Sequence, residues 1–270
     1  MTPPAFVDAV GVAHAAATDD ARIISLVPSL TELLFDLGLG ARLVGRTTFC
    51  VHPQPMVKNV RSVGGTKRVN MDKVRAAAAT HVLVNIDETP KELADELAEL
   101  GLNLIVTHPI EVADNIALYR MIGGIFGRAA EAEAMVERLT AALDDLQRRA
   151  ATWPQRRVLY LIWKEPWMTV SRETYISRML ALVGWRTVAD DPAIRYPEID
   201  LAGVLDDTDL VLFSSEPFAF KAEHLAAFGA AFPAHADKAR LVDGEMLSWY
   251  GSRAIAGLGY LGESLGELAR

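Results

Sequence analysis

The stretch RAAEAEAMVERLTAALDDLQRRA, residues 128–150, decides the fold. It contains neither glycine nor proline and consists mainly of alanine, leucine, glutamate and arginine, which are strong helix formers. Apolar side chains recur in it at alternating spacings of four and three, which predicts one apolar stripe along a helix. The stripe comprises Ala132, Val136, Leu139, Leu143, Leu146 and Ala150. Opposite charges four residues apart predict the ion pairs Asp144–Arg148 and Asp145–Arg149. The helix would be roughly 33 Å long at about 1.5 Å per residue.

Short apolar runs alternate with amphipathic stretches on both sides of this helix, which is typical of parallel sheets flanked by helices. The predicted strands are Arg22–Val27, Leu43–Arg46, His81–Asn85, Leu102–Thr107, Arg157–Trp163, Asp209–Ser214 and Arg240–Asp243. The predicted fold class is therefore α/β, with two lobes, each a mainly parallel sheet flanked by helices, joined by one long backbone α-helix. The expected boundaries are 1–127 for the N-terminal lobe, 128–152 for the linking helix and 153–270 for the C-terminal lobe.

Capping patterns predict where three helices of the first lobe begin. Ser29–Glu32 and Thr89–Glu92 both have the sequence of a capping box, the second with Pro90 at the first helical position. Asn70 is a suitable N-cap for a third helix. In the second lobe, Trp185 follows a predicted helix, and we interpret it as a structural residue at the helix end.

Composition excludes several classes of protein. The chain has 270 residues, is 51% hydrophobic and carries a net charge of −8, which argues against a nucleic-acid binder. The single cysteine, Cys50, forms no internal disulfide, and no apolar run reaches the ~18 residues of a membrane span. No lysine or arginine precedes Arg22, and Asp8 interrupts the only early apolar run. We therefore expect no export signal, a cytoplasmic location for the chain as written, and a monomer.

Ligands of open α/β sheets bind beyond the carboxyl ends of the strands. If both lobes direct these ends at each other, a cleft forms between them, where ligand pockets are preferred. Several aromatic residues fall in such loops, where their rings suit a flat ligand. They are Phe49, Trp163, Trp167, Tyr196, Trp249 and Tyr250. For the three tryptophans, core packing and site lining are equally compatible with the sequence, whereas the loop-tip position of Phe49 favours site lining.

Metal and catalytic motifs are weak. Cys50 and His52 could offer two ligands, but a structural zinc site needs four, so we predict no metal site and a buried Cys50. Residues 64–67, GGTK, lack the strand-to-helix context of a phosphate loop. An enzyme would need acids and bases that converge at the strand ends, and His108, Glu165 and Glu216 are the candidates there.

The segment RIISLVPSLTELLFDLGLGARLVGRTTFCVHP, residues 22–53, resembles the first motif of a known family. Its features occur in the family's order, as a strand, S-x-x-P-S-x-T-E, a helix, glycine, a Val-Gly strand and an aromatic loop before proline. The family comprises the solute-binding proteins of ABC importers whose lobes are joined by one backbone helix, here most similar to the cobalamin-binding and iron-siderophore-binding branch. Phe6–Gly11, Val63–Gly65 with Asn70–Val74, and Arg195–Pro197 resemble further family segments.

The resemblance implies a binding protein, with no covalently bound cofactor, for a corrinoid or another metal chelate. Aromatic residues would clamp a corrin ring, and arginines, with Arg68 as a further candidate, would meet an anionic chelate. The implied ligand-binding residues are Phe49, Trp163, Trp167, Tyr196, Trp249, Tyr250, Arg46, Arg195 and Arg253. Acidic residues would dock on an importer permease, with Asp72 at the first position and Glu198 near the second. A periplasmic or other extracytoplasmic location would follow if an upstream signal exists.

Three functions remain open on this basis: import of the chelate, binding of it inside the cell, and chelatase-like catalysis on a tetrapyrrole. The aromatic loops and the net charge of −8 favour a large, flat, nearly neutral ligand over an anionic ferric siderophore. We therefore predict cobalamin-like binding by Phe49 in one lobe and by Trp163, Tyr196 and Trp249 in the other.

Overall fold

The computed structural model of the chain describes residues 6–189, 191 and 193–266. These residues form two compact units, each with its own sheet. The first unit contains the described residues up to Pro109, Ala113–Leu139 and Tyr250–Arg253. The second contains Ile110–Val112, the described residues of Thr140–Trp249, and those from Ala254 onwards. The two units divide the long helix between Leu139 and Thr140. The sequence-based boundaries at 127 and 152 stay a prediction.

The first unit is built on a five-stranded parallel sheet in the order β5-β4-β3-β6-β7, with a separate hairpin of β1 and β2. Its strands are β1 Phe6–Val7, β2 Ala13–His14, β3 Ile23–Ser25, β4 Leu43–Thr47, β5 Ser62–Gly64, β6 His81–Asn85 and β7 Asn103–Thr107. Its helices are α1 Pro28–Asp36, α2 Met71–Ala76, α3 Lys91–Glu99, α4 Asp114–Ile125 and the first half of α5 Ala129–Ala150. Short 3₁₀ turns cover Gly40–Arg42 and Met56–Asn59.

The second unit contains the parallel strands β10-β8-β11-β12, and β9 pairs antiparallel to β8. Its strands are β8 Arg156–Trp163, β9 Met168–Thr169, β10 Trp185–Thr187, β11 Leu210–Ser214 and β12 Ala239–Val242. Its helices are α6 Tyr175–Ala181, α7 Leu201–Val204, α8 Ala222–Ala231, α9 Gly244–Ser248 and α10 Arg253–Glu263, with a 3₁₀ turn at Pro233–Lys238. The predicted α/β fold class with one long helix is confirmed.

Continuous apolar strands give each unit a core of its own, as expected for strands covered on both faces. In the first unit, one buried cluster combines side chains on or next to β3, β5 and β6 with side chains of α2 and α3; its members are Ile24, Leu26, Val63, Val74, Val82, Val84, Leu93 and Leu97. In the second, the core is richer in aromatic rings: Phe213 lies edge-on to Phe220 and Phe228 at 5.2 and 5.4 Å between ring centroids.

The long helix begins at Ala129, as predicted, and its ion pairs agree with the prediction in part. Asp145 meets Arg149 with 2.7 Å between Oδ2 and Nε, as expected. Arg148 approaches Asp145 rather than Asp144, at 3.3 Å, so one aspartate serves both arginines. The three-residue spacing also brings side chains onto the same helix face, which is why this pairing competes with the predicted one.

Two of the three predicted helix caps are wrong. The helix α1 begins at Pro28, which lacks an N–H and suits the first turn, and its N-cap is Val27 rather than Ser29. Glu32 cannot complete a capping box because its carboxylate binds Arg253. At α3 the N-cap is Pro90, and the Thr89 hydroxyl accepts a hydrogen bond from the backbone N–H of Asn85 instead.

The Asn70 cap is confirmed, because its side-chain oxygen accepts the Lys73 N–H at 3.0 Å. The sequence missed β10, where Trp185 lies on a strand and is fully buried rather than covering a helix end. It also missed α9, whose N-cap Asp243 accepts the Met246 N–H at 3.3 Å. Both elements are too short to show a hydrophobic period, and tertiary packing determines them.

Candidate functional site

In the first unit, Phe49 lies on the turn after β4 with 60% of its surface exposed. The turn is fixed to the end of β5, since the N–H of Thr48 donates to the carbonyl of Gly64 at 2.7 Å. The backbone of Gly65 lies beside the Phe49 ring, where an added Cβ would be 3.5 Å from it. Ile86, which follows β6 on the other side of β3, is 45% exposed. This sheet therefore presents apolar surface at its carboxyl end.

Cys50 lies beneath this turn and is fully buried, as predicted. Its sulfur is 3.0 Å from the Thr31 hydroxyl and 3.1 Å from the Thr47 hydroxyl. Burial raises the pKa of the Cys50 thiol, only partly offset by the hydrogen bonds from Thr31 and Thr47. The thiol is therefore protonated near neutral pH and acts as a packing group that supports the Phe49 turn.

Arg46, an expected ligand-binding residue, donates hydrogen bonds to backbone carbonyls in the structure. Its Nε donates to the carbonyls of Val57 and Val60 at 2.9 and 3.1 Å, and its Nη1 donates to that of Thr47 at 2.9 Å. These bonds connect the end of β4 to the 3₁₀ turn Met56–Asn59. A ligand would have to share or break them, so its contact with Arg46 stays a prediction.

In the second unit, Trp163 is the last residue of β8 and is 41% exposed. Its ring meets Phe218 edge-on, with 5.6 Å between the centroids. Phe218 follows β11, so adjacent parallel strands place both rings at the same end of the sheet. The sequence analysis did not single out Phe218, although its position after a buried strand and Glu216–Pro217 could have indicated it.

Tyr196 lies on a loop of the second unit and is 37% exposed. Two backbone bonds fix the loop, from the Thr169 N–H to the Pro197 carbonyl at 3.0 Å and from the Ser171 N–H to the Arg195 carbonyl at 2.8 Å. The guanidinium carbon of Arg195 lies 5.9 Å from the centroid of the Tyr196 ring. Arg195 also donates from Nε to the Glu173 carbonyl at 2.9 Å. The pair thus offers an aromatic ring next to a cation.

Trp167 and Trp249 both pack against other residues of the second unit. Trp167 stacks on Phe220 with 6.1 Å between ring centroids and an angle of 7° between the planes. Trp249 is only 7% exposed, and its indole N–H donates to Glu216 Oε1. The Ser248 hydroxyl donates to the same oxygen at 3.0 Å. These contacts account for both tryptophans structurally, and their ligand roles stay predictions.

The carboxyl of Glu216 is the most perturbed acid near these strand ends. Burial raises its pKa, and the hydrogen bonds from Ser248 and Trp249 offset only part of that rise. Because Glu216 is engaged by these donors, its geometry is that of a residue that positions Trp249. The other two acid–base candidates are His108, whose Nε2 is 3.4 Å from Asp87 in the first unit, and the exposed Glu165 in the second.

Tyr250 and Arg253 belong to a short segment that packs in the first unit. The Tyr250 hydroxyl donates to Glu88 at 2.8 Å, and Arg253 donates twice to Glu32, at 2.7 and 2.8 Å. Between them, the N–H of Gly251 donates to Asn115 at 2.6 Å. We call residues 250–253 the return segment. Its polar side chains are only slightly exposed, so their role as ligand contacts stays a prediction.

The residues expected at a permease interface are both exposed. Asp72 lies on α2 with 94% of its side chain exposed and forms an ion pair with Arg75 at 3.1 Å. Glu198 lies on the loop that follows Tyr196, where it pairs through its backbone with Met168. Throughout residues 6–189, 191 and 193–266, no group of three or more histidine, cysteine, aspartate or glutamate side chains could hold a metal ion. In the same residues, no helix is long and apolar enough to cross a membrane.

The profile of the periplasmic binding protein family matches residues 23–216. The chain belongs to the periplasmic binding protein family. This assignment confirms the resemblance found in the sequence. The family consists of binding proteins, so it does not support the chelatase-like alternative.

Curated relatives include the vitamin B12-binding protein of Yersinia pestis (strain Pestoides F), which is 23% identical over 184 residues. That match covers 68% of the chain and 65% of the relative, so the chain spans slightly less than two thirds of the length of this protein.

Solved structures of the family share the fold at low sequence identity. The periplasmic vitamin B12 binding protein BtuF of Vibrio cholerae superposes with a TM-score of 0.79 at 19% identity, covering 90% of this chain and 95% of that one. The periplasmic heme-binding protein RhuT from Roseiflexus sp. RS-1 gives a TM-score of 0.78 at 19% identity, with coverage of 93% and 100%. A periplasmic heme-binding protein from Pseudomonas aeruginosa gives 0.77 at 22% identity, with coverage of 92% and 94%.

Proposed function

We propose that the chain is a solute-binding protein that binds a flat, bulky metal chelate of the corrinoid or haem type for an importer. The observation that carries the proposal is the exposure of aromatic rings beyond the strands: Phe49 at 60% in the first unit, and Trp163 at 41% and Tyr196 at 37% in the second. Large exposed aromatic surfaces favour a ligand that covers them. The relatives named for vitamin B12 and haem bind ligands of this shape.

The arrangement of arginines supports a nearly neutral ligand over an anionic ferric siderophore. Binding a highly charged chelate requires guanidinium groups whose N–H donors are directed at it. Here Arg46 donates to three backbone carbonyls and Arg253 to the carboxylate of Glu32. Redirecting the Arg253 donors would take both of these hydrogen bonds from the largely buried Glu32 carboxylate, at a cost of about 1–3 kcal/mol. Stacking on aromatic rings carries no such cost, so a corrinoid is the preferred ligand.

Isothermal titration with cyanocobalamin, cobinamide, haem and a ferric siderophore tests the proposal. Phe49→Ala and Trp163→Ala should each weaken corrinoid binding about tenfold, equivalent to ~1.4 kcal/mol, because each removes a stacking surface. Leu182→Ala is the matched control, since Leu182 is also apolar and 37% exposed but lies at the end of α6. Tight siderophore binding with no corrinoid binding at about 100 μM would reject the ligand. Corrinoid binding unaffected by both variants would reject the site.

Haem is the second candidate, and Tyr196 is the observation that favours it. A phenol can serve as an axial ligand of haem iron, and the Tyr196 ring is exposed beside the Arg195 guanidinium. Tyr196→Phe keeps the ring and removes the oxygen. Weakened haem binding with unchanged corrinoid binding would assign Tyr196 to the iron, whereas equal affinities of both proteins for haem would reject this role.

We further propose that the protein acts outside the cytoplasm and docks on a permease through Asp72 and Glu198. Both side chains are exposed on separate units, so a partner can reach them. Asp72→Ala should reduce importer-dependent uptake while leaving ligand affinity unchanged. Asp95→Ala is the control, because Asp95 is also an exposed helical aspartate in an ion pair, with Lys91. Equal uptake by the Asp72 variant and the wild type would reject the docking role.

A further inference from the structure

Four arginines line one depression in the second unit, far from the aromatic strand ends. Its volume is about 360 Å³. The lining residues are Gln155, Arg156, Arg157, Arg172, Arg186, Thr187, Val188 and Asp209. Arg156 begins β8 and Trp163 ends it, which separates the depression from the Trp163 ring by roughly 23 Å at about 3.3 Å per residue. Such a concentration of positive charge contrasts with the net charge of −8 of the whole chain.

The sheet itself brings two of these arginines together. The strands β8 and β10 are parallel neighbours, and Arg157 is directly opposite Arg186 in their register. Side chains at opposed positions project from the same face of a sheet, and like charges placed there repel each other. Both residues are exposed, so folding of the core does not require an arginine at either position. An anion bound by both guanidinium groups would offset this repulsion and interact favourably with both charges.

Among the described residues, the nearby carboxylates compensate the pair Arg157 and Arg186 only weakly. Asp209 Oδ2 accepts the backbone N–H of Arg157 at 2.7 Å, which commits that oxygen to the main chain. Asp207 lies 3.8 Å from Arg157 Nη1 and is 76% exposed, a weak pairing in high dielectric. No ion pair to Arg186 is found in the described part of the chain.

A buried donor in the same depression also lacks a partner. The Nε of Arg156 is shielded from solvent and has no hydrogen-bond acceptor among the residues that the structure describes. A buried N–H without an acceptor is unfavourable, and an oxyanion in the depression could supply one. This observation is independent of the charge count and points to the same kind of ligand.

We propose that this depression is a second binding site, for an anion that bears phosphate groups with two or more negative charges. The planar forks of arginine side chains match the oxygens of phosphate, and several forks around one depression favour a multivalent anion over chloride. The volume accommodates a diphosphate or the headgroup of a phospholipid. The site acts independently of the chelate, because it lies at the opposite end of β8.

Titration calorimetry of the full chain with inorganic phosphate and inorganic diphosphate, at about 50 mM salt to limit screening, tests the proposal. Diphosphate should bind with a Kd of about 100 μM or lower, and more tightly than phosphate. Arg186→Gln should weaken it at least tenfold. Arg138→Gln is the control, because Arg138 is also exposed, on α5, but is not among the residues that line the depression.

Two further measurements distinguish the source of the phosphate and the cause of any loss. Sedimentation with phosphatidylcholine vesicles, with and without phosphatidic acid, reports whether a headgroup is bound in place of a free ion. Thermal melting without anion should show Arg186→Gln at least as stable as the wild type, because it relieves repulsion. Binding of neither diphosphate nor phosphatidic acid, or equal loss in the Arg138 control, would overturn the proposal.

Discussion

Replacing Arg253 with glutamine is expected to destabilise the first unit by about 3 kcal/mol. The Arg253 guanidinium donates two hydrogen bonds to Glu32, and only 11% of the arginine side chain and 15% of the glutamate side chain are exposed. Removal of one partner of a buried ion pair typically costs about 3–5 kcal/mol, because the other charge remains buried without compensation. Because Glu32 is partly exposed, water can reach its carboxylate, so we expect a loss of stability at the lower end of this range.

The assay is urea denaturation followed by far-UV circular dichroism. Tryptophan fluorescence would not report on this pair directly, since all five tryptophans lie between Trp153 and Trp249, within the second unit. The double variant Glu32→Gln/Arg253→Gln removes both charges and should be more stable than the sum of the single effects predicts, with a coupling energy of about 2 kcal/mol.

The matched control is the pair Arg120–Glu133, which also belongs to the first unit. Its two bonds have the same bidentate geometry, at 2.7 and 2.9 Å, but both side chains are about half exposed. Exposed pairs contribute little because water screens them. Equal coupling in the two cycles would refute the argument that burial sets the energy, and no destabilisation by Arg253→Gln would refute the structural role of this arginine.

Raising the pH above the ordinary carboxyl range should destabilise the wild type relative to Glu216→Gln. The pKa of Glu216 is raised in the folded protein, so its protonated form favours folding, and this contribution is lost as the carboxyl ionises. Melting temperatures that run parallel in the two proteins from acid to neutral pH would contradict this prediction. Asn70→Ala should cost about 1 kcal/mol in urea denaturation by removing the cap on the Lys73 N–H, and Asn70→Asp, which keeps the acceptor, should restore most of it. Gly251→Ala should destabilise by about 1–2 kcal/mol, since Gly251 has φ +74° and an added Cβ would lie 3.1 Å from a backbone oxygen; an unchanged melting temperature would show that the segment adjusts freely.

The elements that the sequence predicts well are those with enough residues to show a period. The helix α5 and the strands β6 and β8 are identified from their own residues because their patterns extend over several positions. Cys50 was correctly predicted to be buried, because the sequence offers no set of metal ligands around it. Short elements such as β10 and α9 carry no such pattern, and their positions depend on residues distant in sequence.

Candidate site residues are harder to predict, because exposure is a tertiary property. Phe49 and Tyr196 remain exposed in loops and Trp163 at the end of a strand, whereas Trp249 comes from an equally plausible loop and is buried against Glu216. The charged residues show the same limit. Nothing near Arg253 in the sequence indicates that Glu32, more than two hundred positions earlier, accepts both of its hydrogen bonds.

The return segment has a consequence for how the chain is synthesised. Glu88 and Glu32 are translated 162 and 221 residues before their respective partners Tyr250 and Arg253. Until then, Glu32, Glu88 and Asn115 cannot form their bonds to Arg253, Tyr250 and Gly251. The step that completes the first unit therefore waits for translation of residues 250–253, and a fragment ending at Leu139 lacks the residues that would allow it.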